Sequence, residues 1–147
     1  MKKVLFTATV DSHILAFHIP YLKYFQEQGY EVHVATNGTA AIPCSDVRHT
    51  VSFAKQPFKP GNLKAVRQLK RIIDAEQFDI IHTHTPMGSV VTRLAAQGAR
   101  RKHKTRVIYT AHGLHFYTGA PLINWALFYP VERFLARYTD TLITINQ

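Results

Sequence analysis

The chain has 147 residues, 46% of them hydrophobic and 12% aromatic, with 18 Lys+Arg against 9 Asp+Glu and a formal charge of +9. That length and apolar content fit one globular domain with a real core and exclude a disordered chain, while the basic excess favours an anionic partner. A single cysteine, Cys44, excludes an internal disulfide and a cysteine-based zinc site, and no stretch reaches the ~20 apolar residues of a spanning helix.

The opening Met-Lys-Lys and Val4–Phe6 start like a signal peptide, but Thr7, Thr9 and Asp11 end the apolar run too early, so a reducing cytoplasm is the expected home. Val4–Thr9 reads as a buried first strand, followed by the turn Val10–His13. A helix to about Gln28 follows, with Pro20 restarting or kinking it near Ile19, and Gly29 stops it. Glu31–Thr36 is a second strand, closed by Asn37-Gly38, whose sequon with Thr39 reads as a turn. Val47–Phe53 is a more polar third strand near a sheet edge, and 54–60 is loop. Asn62–Glu76 is an amphipathic helix with Leu63, Val66, Leu69 and Ile73 on one face and Lys64, Arg67, Lys70 and Arg71 on the other. Phe78–His84 is the fourth strand. Thr85 is placed to cap the helix Pro86–Ala99, with Pro86 at its first position. Arg100–Arg106 reads as a basic connection and Val107–His112 as the fifth strand. Leu122–Tyr138 is a helix interrupted by Pro130, and Thr141–Ile145 is the sixth strand.

This alternation predicts an α/β fold over residues 1–147: a single Rossmann-like domain, mostly parallel, in strand order 3-2-1-4-5-6, with helices on both faces. Ligands of such sheets bind beyond the strand C-terminal ends where the order reverses, here between strands one and four. That point gathers Asp11, Ser12 and His13 with His82–Thr85, and His112–His115 from strand five. The first turn lacks G-x-G-x-x-G and no Walker A motif occurs, which disfavours a dinucleotide in the usual mode and nucleotide hydrolysis. His82, His84, His112 and His115 gain no cysteine or carboxylate cluster to complete a ligand set, so no metal is expected. His82 reads equally as a core histidine. His84 and His112, at strand ends, are read as ligand-facing, able to donate to a sugar hydroxyl or phosphate. His115, His13 and His18 are weaker candidates, and His33 and His49 look like ordinary strand residues. Gly88 and Gly113 either let backbone N–H groups approach a ligand or serve plain turns. The helix face with Lys64, Arg67 and Arg71 and the run Arg100-Arg101-Lys102-His103-Lys104 read as a solvated basic face or an anionic-membrane contact. No nucleic-acid motif accompanies them. The Phe53–Lys59 loop suits an interfacial contact, and Trp125–Tyr129 suits packing on a further domain.

The stretches Phe78-Asp79-Ile80-Ile81-His82-Thr83-His84, Ile108-Tyr109-Thr110-Ala111-His112-Gly113 and Leu142-Ile143-Thr144-Ile145-Asn146 together resemble the N-terminal domain of family-four glycosyltransferases. Lys3–Thr9, Phe17-His18-Ile19-Pro20 and Gly29-Tyr30-Glu31-Val32 fit as well, and the likeness covers essentially the whole chain. The resemblance implies a retaining, GT-B-fold enzyme of the bacterial capsular or exopolysaccharide type. It implies an N-terminal domain that binds the acceptor, often a lipid-linked sugar diphosphate at the inner membrane face. A C-terminal domain, which this chain lacks, would grip the nucleotide-sugar donor, a UDP-sugar, in cis or as a separate chain. No metal or other cofactor is implied. His112 matches the family's catalytic histidine beside the donor sugar. Asp11–His13 lie where the family places the donor diphosphate and acceptor, without the glycines common in that turn. The other expectations are a non-catalytic membrane-surface scaffold and half of a sugar-nucleotide epimerase, which shares the two-domain fold.

Overall fold

The computed structural model describes residues 1–54, 59–111 and 118–145. Six parallel strands run in the order β3-β2-β1-β4-β5-β6: β1 (Lys3–Thr7), β2 (Glu31–Thr36), β3 (Val47–Thr50), β4 (Ile80–His84), β5 (Arg106–Ala111) and β6 (Thr141–Thr144). This is the order expected from the alternation of elements. Val4, Leu5 and Phe6 of β1 are fully buried, as a central parallel strand covered on both faces requires.

Side-chain alternation divides the core in two. Val4, Phe6 and Ala8 of β1 and its extension meet Val32, Val34, Ile14 and Leu22, under α1 (Asp11–Phe17) and α2 (Ile19–Glu27). Leu5, Ala35, Ile81 and Val107 point the other way. They pack on α3 (Pro60–Glu76), α4 (Pro86–Ala95) and α5 (Gln97–His103). The last helix, α6 (Leu122–Leu135), joins this second face through α4. Arg93 of α4, 1% exposed, makes two hydrogen bonds to Glu132 of α6 at 2.9 and 3.0 Å and lies 4.5 Å over the Tyr109 ring.

Right-handed crossovers explain an asymmetry. The connection from β1 to β2 puts α1 and α2 on one face over that half of the sheet. The connections running from β3 through β4 and β5 to β6 put α3 to α6 on the other face. Among the described residues, the first face is therefore left uncovered over β4, β5 and β6, where Ile143 and Ile145 stay 42% and 54% exposed.

Several element boundaries depart from the sequence reading. The first helix breaks at His18, which ends α1 and starts α2, because Pro20 lacks an N–H and crowds the preceding turn. The run Arg100–His103 is helical, forming most of α5, rather than a connection. A break at Ala96 divides the expected helix Pro86–Ala99 into α4 and the start of α5. Strand β3 ends at Thr50, and its intermediate to exposed residues confirm an edge. Helix α6 continues through Pro130 to Leu135 and then tightens into a 3₁₀ turn, Ala136–Tyr138. The Phe53–Lys59 loop lies largely outside the described residues.

Candidate functional site

The sheet edge formed by the C-terminal ends of β1 and β4 opens into a cleft of about 510 Å³. It is lined by His13, Phe17, His18, Tyr21, His82, His84, Thr110, Ile143 and Ile145. The size is that of a small-molecule site, and the position is the reversal point where such sheets bind ligands.

Each wall has a local origin. His82 and His84 are two residues apart on β4, so they share a face, and that face is the one left uncovered beyond α2. His82 Nε2 is 2.7 Å from Thr110 Oγ1 on β5, which fixes its ring. His18 sits at the α1–α2 joint, with its N–H on the Ile14 carbonyl and its own carbonyl accepting from Tyr21 and Leu22. That joint turns the His18 ring onto His84, stacked at a centroid distance of 3.6 Å. His13, on α1, lies 5.0 Å from His18 and 5.9 Å from His84 by ring centroids. Phe17 and Tyr21 rim the cleft with more than half of each side chain exposed. Among the described residues, no formally charged Lys, Arg, Asp or Glu lines it.

The structure sorts the sequence candidates. His13, His18 and His84 come together in the cleft. Ser12 is exposed on α1 beside it. Asp11 is occupied internally: one carboxylate oxygen accepts from the Thr36 hydroxyl and from Arg48 at 2.8 Å, the other from the Ala40 N–H at 3.0 Å. Burial pushes the Asp11 carboxyl up, but those three donors outweigh it and hold it below its ordinary value. Asp11 therefore pins the turn after β1 to the turn after β2. Gly38 makes room for it, since a Cβ there would fall 2.0 Å from Asp11 Oδ2.

Thr85 occupies the cap position of α4, but its hydroxyl does not cap the helix. It meets the Thr9 hydroxyl at 2.8 Å and accepts from the Thr9 N–H at 3.1 Å, across the gap between β1 and β4. Thr85 holds φ 64° and ψ 146° to do so, a backbone cost on the order of 1–3 kcal/mol. Gly88 serves the same junction. A Cβ on it would lie 2.6 Å from Thr85 Oγ1 and 3.3 Å from the Thr9 nitrogen, so its function is close packing of α4 on β1. His112, Gly113 and His115 lie outside the described residues.

The basic candidates divide too. Lys64, Arg67 and Arg71 are exposed on α3, and Arg101 on α5. Arg100 instead binds both carboxylate oxygens of Asp140 and the Arg137 carbonyl, tying α5 to the start of β6. The sequence reading missed Phe17, Tyr21, Thr110, Ile143 and Ile145 as cleft residues. The spacing of Phe17 and Tyr21 was visible, but the helix break between them hid that both face the same opening.

A family of glycosyl transferase 4-like proteins matches residues 3–146. "Putative glycosyltransferase EpsD" of Bacillus subtilis (strain 168) is 56% identical over 99% of this chain, which spans 38% of that protein's length. Among solved structures, "putative UDP-N-acetylglucosamine 2-epimerase from Listeria monocytogenes" superimposes with a TM-score of 0.66 at 14% identity, over 98% of this chain and 39% of that one. Anabaena Alr3699/HepE in complex with UDP and glucose gives a TM-score of 0.61 at 18% identity, over 97% and 37%. At these identities the structural likeness shows a shared fold.

Proposed function

Because the chain belongs to the glycosyl transferase 4-like family, we propose that it is the acceptor-binding, N-terminal domain of a retaining glycosyltransferase of the GT-B fold. The enzyme would move a sugar from a UDP-sugar to a lipid-linked saccharide in surface polysaccharide assembly. The observation that carries the reading is the cleft at the sheet's reversal point, rimmed by imidazoles and exposed aromatic rings.

The chemistry of the walls suits a sugar acceptor. Phe17 and Tyr21 offer apolar faces that a pyranose ring can cover, and imidazoles donate to or accept from hydroxyls. Transfer needs the two substrates held together, and it needs donors where charge develops on the departing nucleoside diphosphate. This chain supplies one wall of such a site. In this reading the donor-side groups lie outside these 147 residues, which span 38% of the length of the relative. The UDP bound in HepE supports a uridine nucleotide as the carrier. In this reading His112 is the residue beside the reacting sugar, as the resemblance implies. The epimerase reading shares the fold, but the family match and the relative at 56% identity both favour glycosyl transfer.

The test begins with the intact mass of the polypeptide from its native cell. A mass more than twice that of this chain would supply the enzyme for assay with radiolabelled UDP-sugars and polyprenyl-diphosphate saccharides. His84→Ala should lower kcat/KM for the acceptor by roughly a hundredfold while the KM for the UDP-sugar stays within about twofold, since the lost contact is on the acceptor side. A donor-only effect, or no label entering lipid or saccharide, overturns the reading. The purified 147-residue chain alone should be inactive, and transfer by it would overturn the assignment to one half of an enzyme.

A further inference from the structure

Two histidines that read as ordinary strand residues meet across the β2–β3 pair. The register sets Val47 opposite His33 and His49 opposite Ala35, so the two imidazoles are diagonal neighbours on the face that packs against α3. His33 Nδ1 lies 2.9 Å from His49 Nε2, and His33 Nε2 lies 2.5 Å from Glu31 Oε1. His33 is fully buried, with Phe78 edge-on to its ring at 4.9 Å. We propose that this pair is a proton-operated latch on the edge strand β3, which ties the strand down while one proton lies between the rings and lets it open more often once both rings are charged. The inference is independent of the function proposed for the cleft.

Proton counting gives the latch its threshold. A carboxylate only accepts, so His33 keeps a proton on Nε2 for Glu31. The 2.9 Å contact then needs one proton between His33 Nδ1 and His49 Nε2, and either ring can donate it. A first added proton leaves that arrangement intact. A second sets N–H against N–H and puts two like charges side by side. The charged groups around the pair are Glu31 on β2, Lys3 on β1, Glu76 on α3 and Arg48 on β3. Burial first, then the charges of His33 and Arg48, hold His49 below the ordinary histidine value, against the opposing pull of Glu76. An opened strand therefore takes up the proton before the closed one does. The tie is intact above the ordinary value of about 6.5 and weakens as pH falls below it.

The strand is suited to such control. It has four residues and is paired on one side only. Its flanks are fixed: the Asp46 N–H meets the Val32 carbonyl at 2.8 Å, and the buried Val51 donates to the Thr36 carbonyl at 2.9 Å. Opening is thus confined to Val47–Thr50. On the other face of the strand, Arg48 holds Asp11 at 2.8 Å, and Asp11 begins α1, which carries His13 to the cleft. Each opening of β3 releases that anchor as well.

Amide hydrogen exchange of the 147-residue chain between pH 8 and pH 5 tests the latch, read as protection factors so that the intrinsic pH dependence of exchange is removed. Protection across β2 and β3 should fall by about tenfold below pH ~6.5, the loss of one charged-group hydrogen bond, while β1–β4 amides hold theirs. His49→Gln keeps an N–H for the His33 nitrogen and takes no proton in this range, so its β3 protection should stay flat. Circular dichroism would show that the variant folds. Should it not fold, ¹⁵N titration of the wild-type rings decides: a loss of protection that tracks the later of the His33 and His49 titrations supports the latch, and one that tracks neither overturns it. Protection of β3 that is constant to pH 5, or an equal loss in folded His49→Gln, also overturns it.

Discussion

Asp11 illustrates how much one carboxylate organises here. It sits just after β1, and its two oxygens gather Thr36, Arg48 and the Ala40 N–H, so two neighbouring turns share one anchor. Arg48 also donates to the Gly38 carbonyl at 3.1 Å, which closes the knot. Replacing Asp11 by Asn keeps the shape but removes the charge that holds Arg48. A loss of about 1–3 kcal/mol is expected in urea unfolding at pH 7. The pH dependence follows from the lowered carboxyl. The unfolded chain binds that proton first, so the stabilisation is present above the unfolded value of about 3.9 and fades as pH falls through the lower folded value. The wild-type minus Asp11→Asn stability difference should therefore shrink below about pH 4 and be flat from pH 5 to 7. A difference that grows on acidification would contradict this account.

At the level of elements, the attachment of α6 rests on a buried charge pair. Arg93 is almost fully enclosed by Ser89, Tyr109 and Glu132. Burial raises the Tyr109 hydroxyl's pKa, and the Glu132 charge adds to it, so the phenol stays neutral beside the pair. Removing Glu132 leaves the Arg93 charge buried and uncompensated, whereas the Glu132 side chain, 20% exposed, keeps contact with solvent when Arg93 is removed. Glu132→Met alone should cost about 3–5 kcal/mol, whereas the double variant Arg93→Met/Glu132→Met should recover most of it. Additive losses in the thermal or urea unfolding of the four-member cycle would show that the two side chains do not act as a pair. The same pair shows where sequence reading runs out. Strands and their order were legible, because apolar runs such as Val4–Phe6 and the alternation with helices leave few topologies. The tie between Arg93 and Glu132 was not, since nothing local marks a partner so far along the chain. The helix at Arg100–His103 was missed because its charge looked like solvated loop, when one arginine in it is spent on Asp140. His13, His18 and His84 were each singled out, yet their convergence depends on a helix break that Pro20 signals only approximately.

The whole molecule is polar in a directional sense: the cleft and the basic surface lie on opposite faces of the sheet. Lys64, Arg67 and Arg71 of α3 and Arg101 of α5 project from the side away from α1 and α2, and α3 packs beside α5. No described helix is long and apolar enough to cross a membrane. If the acceptor is lipid-linked, as proposed, this exposed cationic face is the surface expected to meet an anionic membrane. Each such charge near an anionic leaflet is worth about 1 kcal/mol, screened within a Debye length of about 8 Å at physiological salt. In sedimentation with vesicles containing an anionic phospholipid, Lys64→Gln/Arg67→Gln should weaken binding by roughly thirtyfold, and raising the salt should do the same to the wild-type chain. Arg100→Gln provides the contrast. Its guanidinium is committed to Asp140, whose carboxyl it holds below the ordinary value, so this substitution should lower stability and leave vesicle affinity within about twofold. The exposed residues of α6, including Leu122 and Ile123, offer a competing apolar route to a bilayer. Equal binding to purely zwitterionic vesicles, insensitive to salt, would assign membrane contact to α6 and remove α3 from it.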